Sequence, residues 1–301
     1  MSGLAFAQAP PPARPLRWLL SVPAWGMAAG ACLLLSGEVA LSSRWSPHTI
    51  ALVHLFTLGV LGNAMLGSLL QFLPVAAGAP MPLRRSPAWL HASFNLGLAV
   101  FVVSMTTMHR TGLGVASVLL AVPILVFAAA ALPGLLARGA QQVLRSGLAM
   151  AVTALALTAL AGALLVAILR GEAPLPLESI ADAHATIGLL GAVVGLMAAV
   201  GSVTLPMLQG TARVPERWLG GWIALTIVSL AMGVALRIWS GQQPPLVASA
   251  LMPALLFVGA SLWLPLRPQA RRNRPLVWSW RIGTLALGAA CVIVLAGTTT
   301  P

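Results

Sequence analysis

Five histidines, at positions 48, 54, 91, 109 and 184, are the side chains of this sequence best suited to chemistry inside a membrane. The chain is 59% hydrophobic and only 7% charged, and none of its five acidic residues falls mid-way along an apolar run. An ionisable group buried in lipid is costly, so one that lies there is read first as functional. His54 lies deepest, about 9 Å from the nearer end of its apolar run by helix rise. A neutral imidazole ligates haem iron or copper through one ring nitrogen, while the other nitrogen needs a fixed partner.

The sequence around His54 is partly repeated. Thr57-Leu-Gly-Val-Leu-Gly62 returns 129 residues later as Thr186-Ile-Gly-Leu-Leu-Gly191, again just after a histidine, His184. Aligning the hexapeptides puts His184 one residue past the position that matches His54. Both helices cross in the same direction, so both imidazoles approach the same leaflet, where they would clasp one haem iron between them. Gly59, Gly62, Gly188, Gly191 and Gly195 would let a flat macrocycle come close. The competing reading of those glycines is small-residue packing between helices. Asp182 points elsewhere on the helix from His184 and is no obvious orienting partner. His48 and His109 lie at the same outer surface, solvated or among headgroups, with an outer metal site as the alternative. His91, one turn inside its span on the inner side, reads as a packing or lipid-proximal histidine.

The remaining chemistry is sparse. Cys32 and Cys291 fall inside apolar runs and read as small packing residues. No C-x-x-C-H occurs, which excludes a covalently attached c-type haem. Lysine and tyrosine are both absent.

The elements that position these residues are apolar helices. Runs of about 20 residues recur along the whole chain, which predicts an all-α polytopic membrane protein of about nine transmembrane helices. The runs cover about 17–36, 47–73, 87–108, 112–136, 143–169, 182–208, 218–239, 246–266 and 277–297. Residues 1–16 are Pro- and Ala-rich and read as a disordered tail. Residues 17–297 read as one bundle that uses a four-helix unit twice, about 47–169 and 182–297. Ser46-Pro47 and Ser86-Pro87 read as helix starts, each an N-cap serine with proline in the first helical position. Trp18, Trp45, Trp89, Trp218, Trp239, Trp263 and Trp278 lie near run ends, as an interfacial belt would place them. Pro74 closes the second run by stopping or kinking it, with Gln71 available to freed carbonyls.

The net charge of +12 comes from arginines between the runs, so it orients helices and is not a nucleic-acid signal. Alternate connections collect thirteen arginines on the N-terminal side and four on the other, namely Arg44, Arg110, Arg170 and Arg237. That bias predicts an inside N-terminus and an outside C-terminus. Arginine without lysine, in an Ala/Leu/Gly-rich chain, suggests a GC-rich bacterial source and hence a bacterial inner membrane.

A helix that opens with His54, continues through Thr57–Gly62 and closes at Leu73-Pro74 resembles membrane proteins related to haem-copper oxidase subunit I. It also resembles the NnrS-like haem and copper proteins. The resemblance spans about residues 47–208. It implies haem b held by His54 and His184, copper as a second metal to consider, and other respiratory-chain subunits as partners. Several family features are missing: span seven (218–239) has no histidine pair, there is no tyrosine, and no tenth span follows. No acidic or lysine residue is available within the membrane for proton uptake. The resemblance therefore implies a non-pumping haem- or metal-binding protein and not an oxygen reductase, with a role in electron transfer, gas response or respiratory-complex assembly. The alternatives are a small-molecule transporter or permease without a prosthetic group, and a structural subunit of a respiratory complex.

Overall fold

The structure, a computed structural model, describes residues 5–82, 88–266 and 274–299. The described residues are helical almost throughout. Nine of their helical stretches are long and apolar enough to cross a membrane: Ala13–Ala40, Pro47–Val75, Ala88–Thr106, Arg110–Leu136, Gln142–Arg170, Leu177–Gln209, Glu216–Ser240, Pro244–Leu266 and Arg274–Ala296. Such stretches satisfy every backbone polar group internally, which lipid demands. The architecture is that of a polytopic helical membrane protein.

The helices are α1 (Ala13–Ser36), α2 (Pro47–His54), α3 (Asn63–Val75), α4 (Ala88–Thr106), α5 (Arg110–Leu136) and α6 (Gln142–Arg170). There follow α7 (Leu177–Thr186), α8 (Gly195–Gln209), α9 (Glu216–Ser240), α10 (Pro244–Trp263) and α11 (Arg274–Thr299). Two π-helical segments lie between them. One joins α2 to α3 and the other joins α7 to α8, each within a single continuous span.

The chain divides into two compact units. The first holds residues 1–140 and 159–175, and the second holds 141–158 and 176–301. The expected repeats, 47–169 and 182–297, have other boundaries: α1 joins the first unit, and α6 gives residues to both.

The core of the first unit is built on α1, α3, α4 and α5. Leu55, Leu66, Leu69, Leu73, Phe94, Leu98, Leu113 and Leu135 are fully buried there. Backbones come close where glycine removes the side chain. At Gly67 an added Cβ would stand 2.8 Å from the Cβ of Trp18 and 3.0 Å from the Pro15 carbonyl oxygen. The second unit has its own core, in which Leu190, Val194, Leu230, Ala254, Phe257 and Cys291 cluster. Cys291 is thus a packing residue, and Cys32 lies half-buried against the Ala29, Ala40, Leu52 and Leu55 cluster.

Several local expectations change. The N-terminal stretch carries a 3-10 turn at Phe6–Gln8, and the Ala5 N–H donates to the Val75 carbonyl at 2.9 Å. Ser46 and Pro47 occupy the N-cap and first helical positions of α2. The serine hydroxyl does not cap, however; it donates to the Val39 carbonyl at 3.1 Å. The Ser86-Pro87 start lies outside the described residues, as do Arg84, Arg85, Arg267, Arg271 and Arg272. Pro74 sits inside α3, whose last residue is Val75, and Gln71 is exposed. Trp45, Trp89, Trp218, Trp239 and Trp278 are exposed, as belt residues would be. Trp18 is buried instead, because His91 and Phe94 close over its ring at 5.1 and 5.5 Å between centroids.

Candidate ligand site at the two pi-helical spans

The histidine-bearing spans share a backbone departure that their sequences do not announce. α2 ends at His54, and the next eight residues, Leu55–Gly62, are π-helical. α7 ends at Thr186, and the next eight residues, Ile187–Val194, are π-helical. The Asn63 N–H reaches back five residues to the Leu58 carbonyl, and the Gly195 N–H likewise reaches Leu190. Such i→i+5 segments usually last a single turn, and they concentrate at functional sites. Here two of them fall on the repeated hexapeptide. Thr57–Gly62 lies wholly within the first, and Ile187–Gly191 within the second, with Thr186 as its N-cap.

In the first unit, His54 Nδ1 lies 2.8 Å from the Ile50 carbonyl oxygen, one turn back on its own helix. A carbonyl only accepts, so Nδ1 carries the hydrogen and Nε2 carries the lone pair. Phe101 packs on the imidazole, with ring centroids 4.6 Å apart. In the second unit, His184 Nδ1 lies 3.0 Å from the Thr158 carbonyl oxygen of α6. The same argument places its lone pair on Nε2. Gly188, one turn on, faces the Thr158 side chain, where an added Cβ would meet Cγ2 at 3.0 Å. The missing side chain at Gly188 thus keeps α6 near enough for its carbonyl to hold the ring.

The other glycines also face protein of their own unit. A Cβ at Gly59 would lie 2.8 Å from the Cβ of Trp25, and one at Gly62 would lie 3.2 Å from Phe94 Cζ. Gly191 faces Ala154 Cβ at 2.8 Å, and Gly195 faces Met150 Cε at 2.8 Å. Close helix approach accounts for all of these positions.

Asn63, fully buried at the end of the first π segment, donates through Nδ2 to the Gly59 carbonyl at 2.9 Å and lies 3.4 Å from that of Leu58. It exchanges reciprocal 3.2 Å amide bonds with Asn95 of α4. Asn95 Oδ1 also accepts from Trp25 Nε1 at 2.5 Å, and its Nδ2 donates to the His91 carbonyl at 2.8 Å. One amide pair therefore ties α1, α4 and the widened turn together. The second repeat has Ala192 at the matching position.

The remaining histidines have local roles. His91 Nε2 lies 2.8 Å from Ser21 Oγ, and its ring meets Trp18 edge-on. His109 is the N-cap of α5, its Nδ1 accepting from the Gly112 N–H at 3.1 Å. His48 sits half-buried in the first turn of α2.

A feature the sequence did not reveal stands close to His184 on α7. Asp182, 7% exposed, accepts from Arg237 Nε at 2.9 Å, and Arg237 is 3% exposed. The guanidinium also reaches the Gly241 carbonyl, and Glu178 stands 4.0 Å away. Gln243 donates to the same Asp182 oxygen at 3.3 Å. The available signal was two opposite charges at helix ends expected on one side of the membrane.

Among the described residues, no group of three or more His, Cys, Asp or Glu side chains is placed to hold a metal ion. In comparisons with known proteins, no family model, curated sequence or solved structure matches the chain.

Proposed function

We propose that this chain is a haem-binding integral membrane protein in which His54 and His184 would each hold iron through Nε2. The role would be electron transfer, response to a diatomic gas, or assembly of a respiratory enzyme, without proton pumping. One observation carries the reading. In each repeat, a histidine whose Nδ1 hydrogen is committed to a backbone carbonyl stands within three residues of an eight-residue π-helix. A hydrogen bond of that kind fixes the ring and raises the basicity of the other nitrogen, as ligating imidazoles require.

Haem is favoured over copper by ligand arithmetic. A porphyrin brings four nitrogens, so one or two imidazoles complete its iron, whereas a protein copper site draws all its ligands from side chains. When bound, haem would supply one-electron chemistry or a site for a diatomic gas. The chain's own part is to hold each imidazole in a single tautomer and to seal the spans with packed apolar side chains. The likeness to haem-copper oxidase subunit I and to the NnrS-like proteins rests on this same element, and it supports respiratory-chain subunits as partners. The arginine bias supports an inside N-terminus, and arginine without lysine in an Ala/Leu/Gly-rich chain supports a bacterial inner membrane.

The test is a haem assay and a reduced-minus-oxidised spectrum of the purified full chain. Protohaem with a sharp Soret difference is expected. Protein purified with neither iron nor copper, and without a Soret change, would defeat the proposal. One other reading stands beside this, because irregular helix within a span also marks transporter sites. Substrate-dependent uptake by proteoliposomes of haem-free protein would favour that reading instead.

A further inference from the structure

The two histidine-bearing spans carry the same widened turn, but different side chains fasten it. In the first repeat, Asn63 stands just past the π segment and pairs with Asn95 on the next span, α4. At the matching position the second repeat has Ala192. Its polar fastening stands at the other end instead. Asp182, on the α7 helix that leads into the π segment, pairs with Arg237 on the next span, α9. The first repeat has Val53 there, 48% exposed. Each π-containing span is thus tied to the span after it by one polar pair that the other repeat lacks.

In the second unit this pair and His184 grip α7 from different sides. Positions 182 and 184 point about 200° apart around a helix. His184 Nδ1 meets the Thr158 carbonyl of α6, whereas Asp182 meets α9. Arg237 cannot follow a turning α7, because it is bound at the end of its own helix. Its Nη1 donates to the Gly241 carbonyl, and the Gly241 N–H donates back to the Arg237 carbonyl at 3.1 Å, in a left-handed C-cap with φ 70°. Gln243, the N-cap of α10, donates to the same Asp182 oxygen at 3.3 Å.

A π segment is the rarer form of helix. Reversion to i→i+4 bonding would shift the residues before it by one position, a turn of about 100° and a rise of about 1.5 Å. That turn would carry His184 away from Thr158 and Asp182 away from Arg237 together. A buried ion pair adds little net stability over apolar side chains of similar volume, and its best-attested use is to fix register. We propose that Asp182 and Arg237 form a register clamp, which holds the sixth span in its π form and so aims His184. Both are positioning residues, acting through the backbone of α7. His184 needs a fixed direction only if it binds iron, and to that extent the clamp rests on the haem proposal.

Disulfide trapping in the full chain, with Cys32 and Cys291 replaced by alanine, tests this. Thr158→Cys is combined in turn with Gly188→Cys, Ile187→Cys and Leu189→Cys, and the rates of cross-linking under mild oxidation are compared. An added Cβ at Gly188 stands 3.8 Å from the Thr158 Cβ, inside the disulfide range of about 3.5–4.5 Å, so the pair at 158 and 188 should close fastest. Asp182→Leu with Arg237→Met, which should recover much of the stability that a single change removes, should lose that preference as a neighbouring position comes round to Thr158. Arg237→Lys keeps the charge but replaces a rigid fork with a flexible ammonium, and should weaken the preference. A double variant that folds and keeps the parent's preference would overturn the clamp. If the double variant does not fold, an unchanged preference in Arg237→Lys would overturn it, as would a parent without preference for position 188. Cross-linking is read without haem, so a haem-free parent would sink the haem proposal and leave the clamp standing.

Discussion

Asp182 and Arg237 show how much depends on a single pair of side chains near His184. Both are almost fully buried and 2.9 Å apart, with Gln243 and the Gly241 carbonyl taking further bonds. Removing one member strips the other of its closest opposite charge, and breaking a buried pair in this way typically costs about 3–5 kcal/mol. Asp182→Ala should therefore lower the unfolding midpoint sharply in a denaturant titration. The double variant Asp182→Leu, Arg237→Met should recover much of that loss, and a double variant no better than the single would count against the pair. At the same scale, Asn63→Ala should destabilise the first unit by about 1–2 kcal/mol, because it removes bonds to Asn95 and to the Gly59 carbonyl. Thermal unfolding unchanged within error would show that the amide pair is incidental. The two histidines stood out as candidates in the sequence because each precedes a repeated hexapeptide. Their partners did not, since Ile50 and Thr158 contribute backbone carbonyls, which every residue has. The partner of Asp182 was not legible either, since Arg237 lies 55 residues away and no local pattern joins them.

At the scale of elements, hydropathy located the spans well and could say nothing of their interior. The second run was expected over about 47–73 and is continuous over Pro47–Val75, because length and apolarity alone decide whether a helix can span. The π segments within the second and sixth spans leave no compositional trace. Leu55–Gly62 is as apolar as any α-helical stretch, and a change from i→i+4 to i→i+5 bonding alters no residue type. Trp18 misled for a related reason: its place near a run end fits an interfacial belt, and only packing against His91, Phe94 and Gly67 shows it to be core. The glycines give a prediction at this scale. Gly59→Val puts its branched carbons where Trp25 and Leu98 already stand, and overpacking of that kind costs about 1–3 kcal/mol. Gly30→Val, where nothing lies within 4 Å of an added Cβ, should be far milder. Equal loss of folded yield from both would argue that helix propensity and not close approach is at stake.

At the scale of the molecule, the order of spans and the arginine bias together predict which connections face which side. In a chain with Cys32 and Cys291 replaced by alanine, Gln242→Cys should react with a membrane-impermeant maleimide in intact cells. Arg213→Cys should react only after permeabilisation. Both positions are exposed, and α9 separates them by one crossing. The reverse labelling pattern would invert the topology and move His54 and His184 to the opposite leaflet. The claim on which the functional proposal turns is that these two imidazoles bind iron, and optical and low-temperature paramagnetic resonance spectra of three purified proteins test it most directly. The parent should show a haem signal, and His54→Ala and His184→Ala should each lower haem content and shift or abolish that signal while retaining the helical far-ultraviolet spectrum. A haem signal unchanged in both variants, or no signal in the parent, would contradict it.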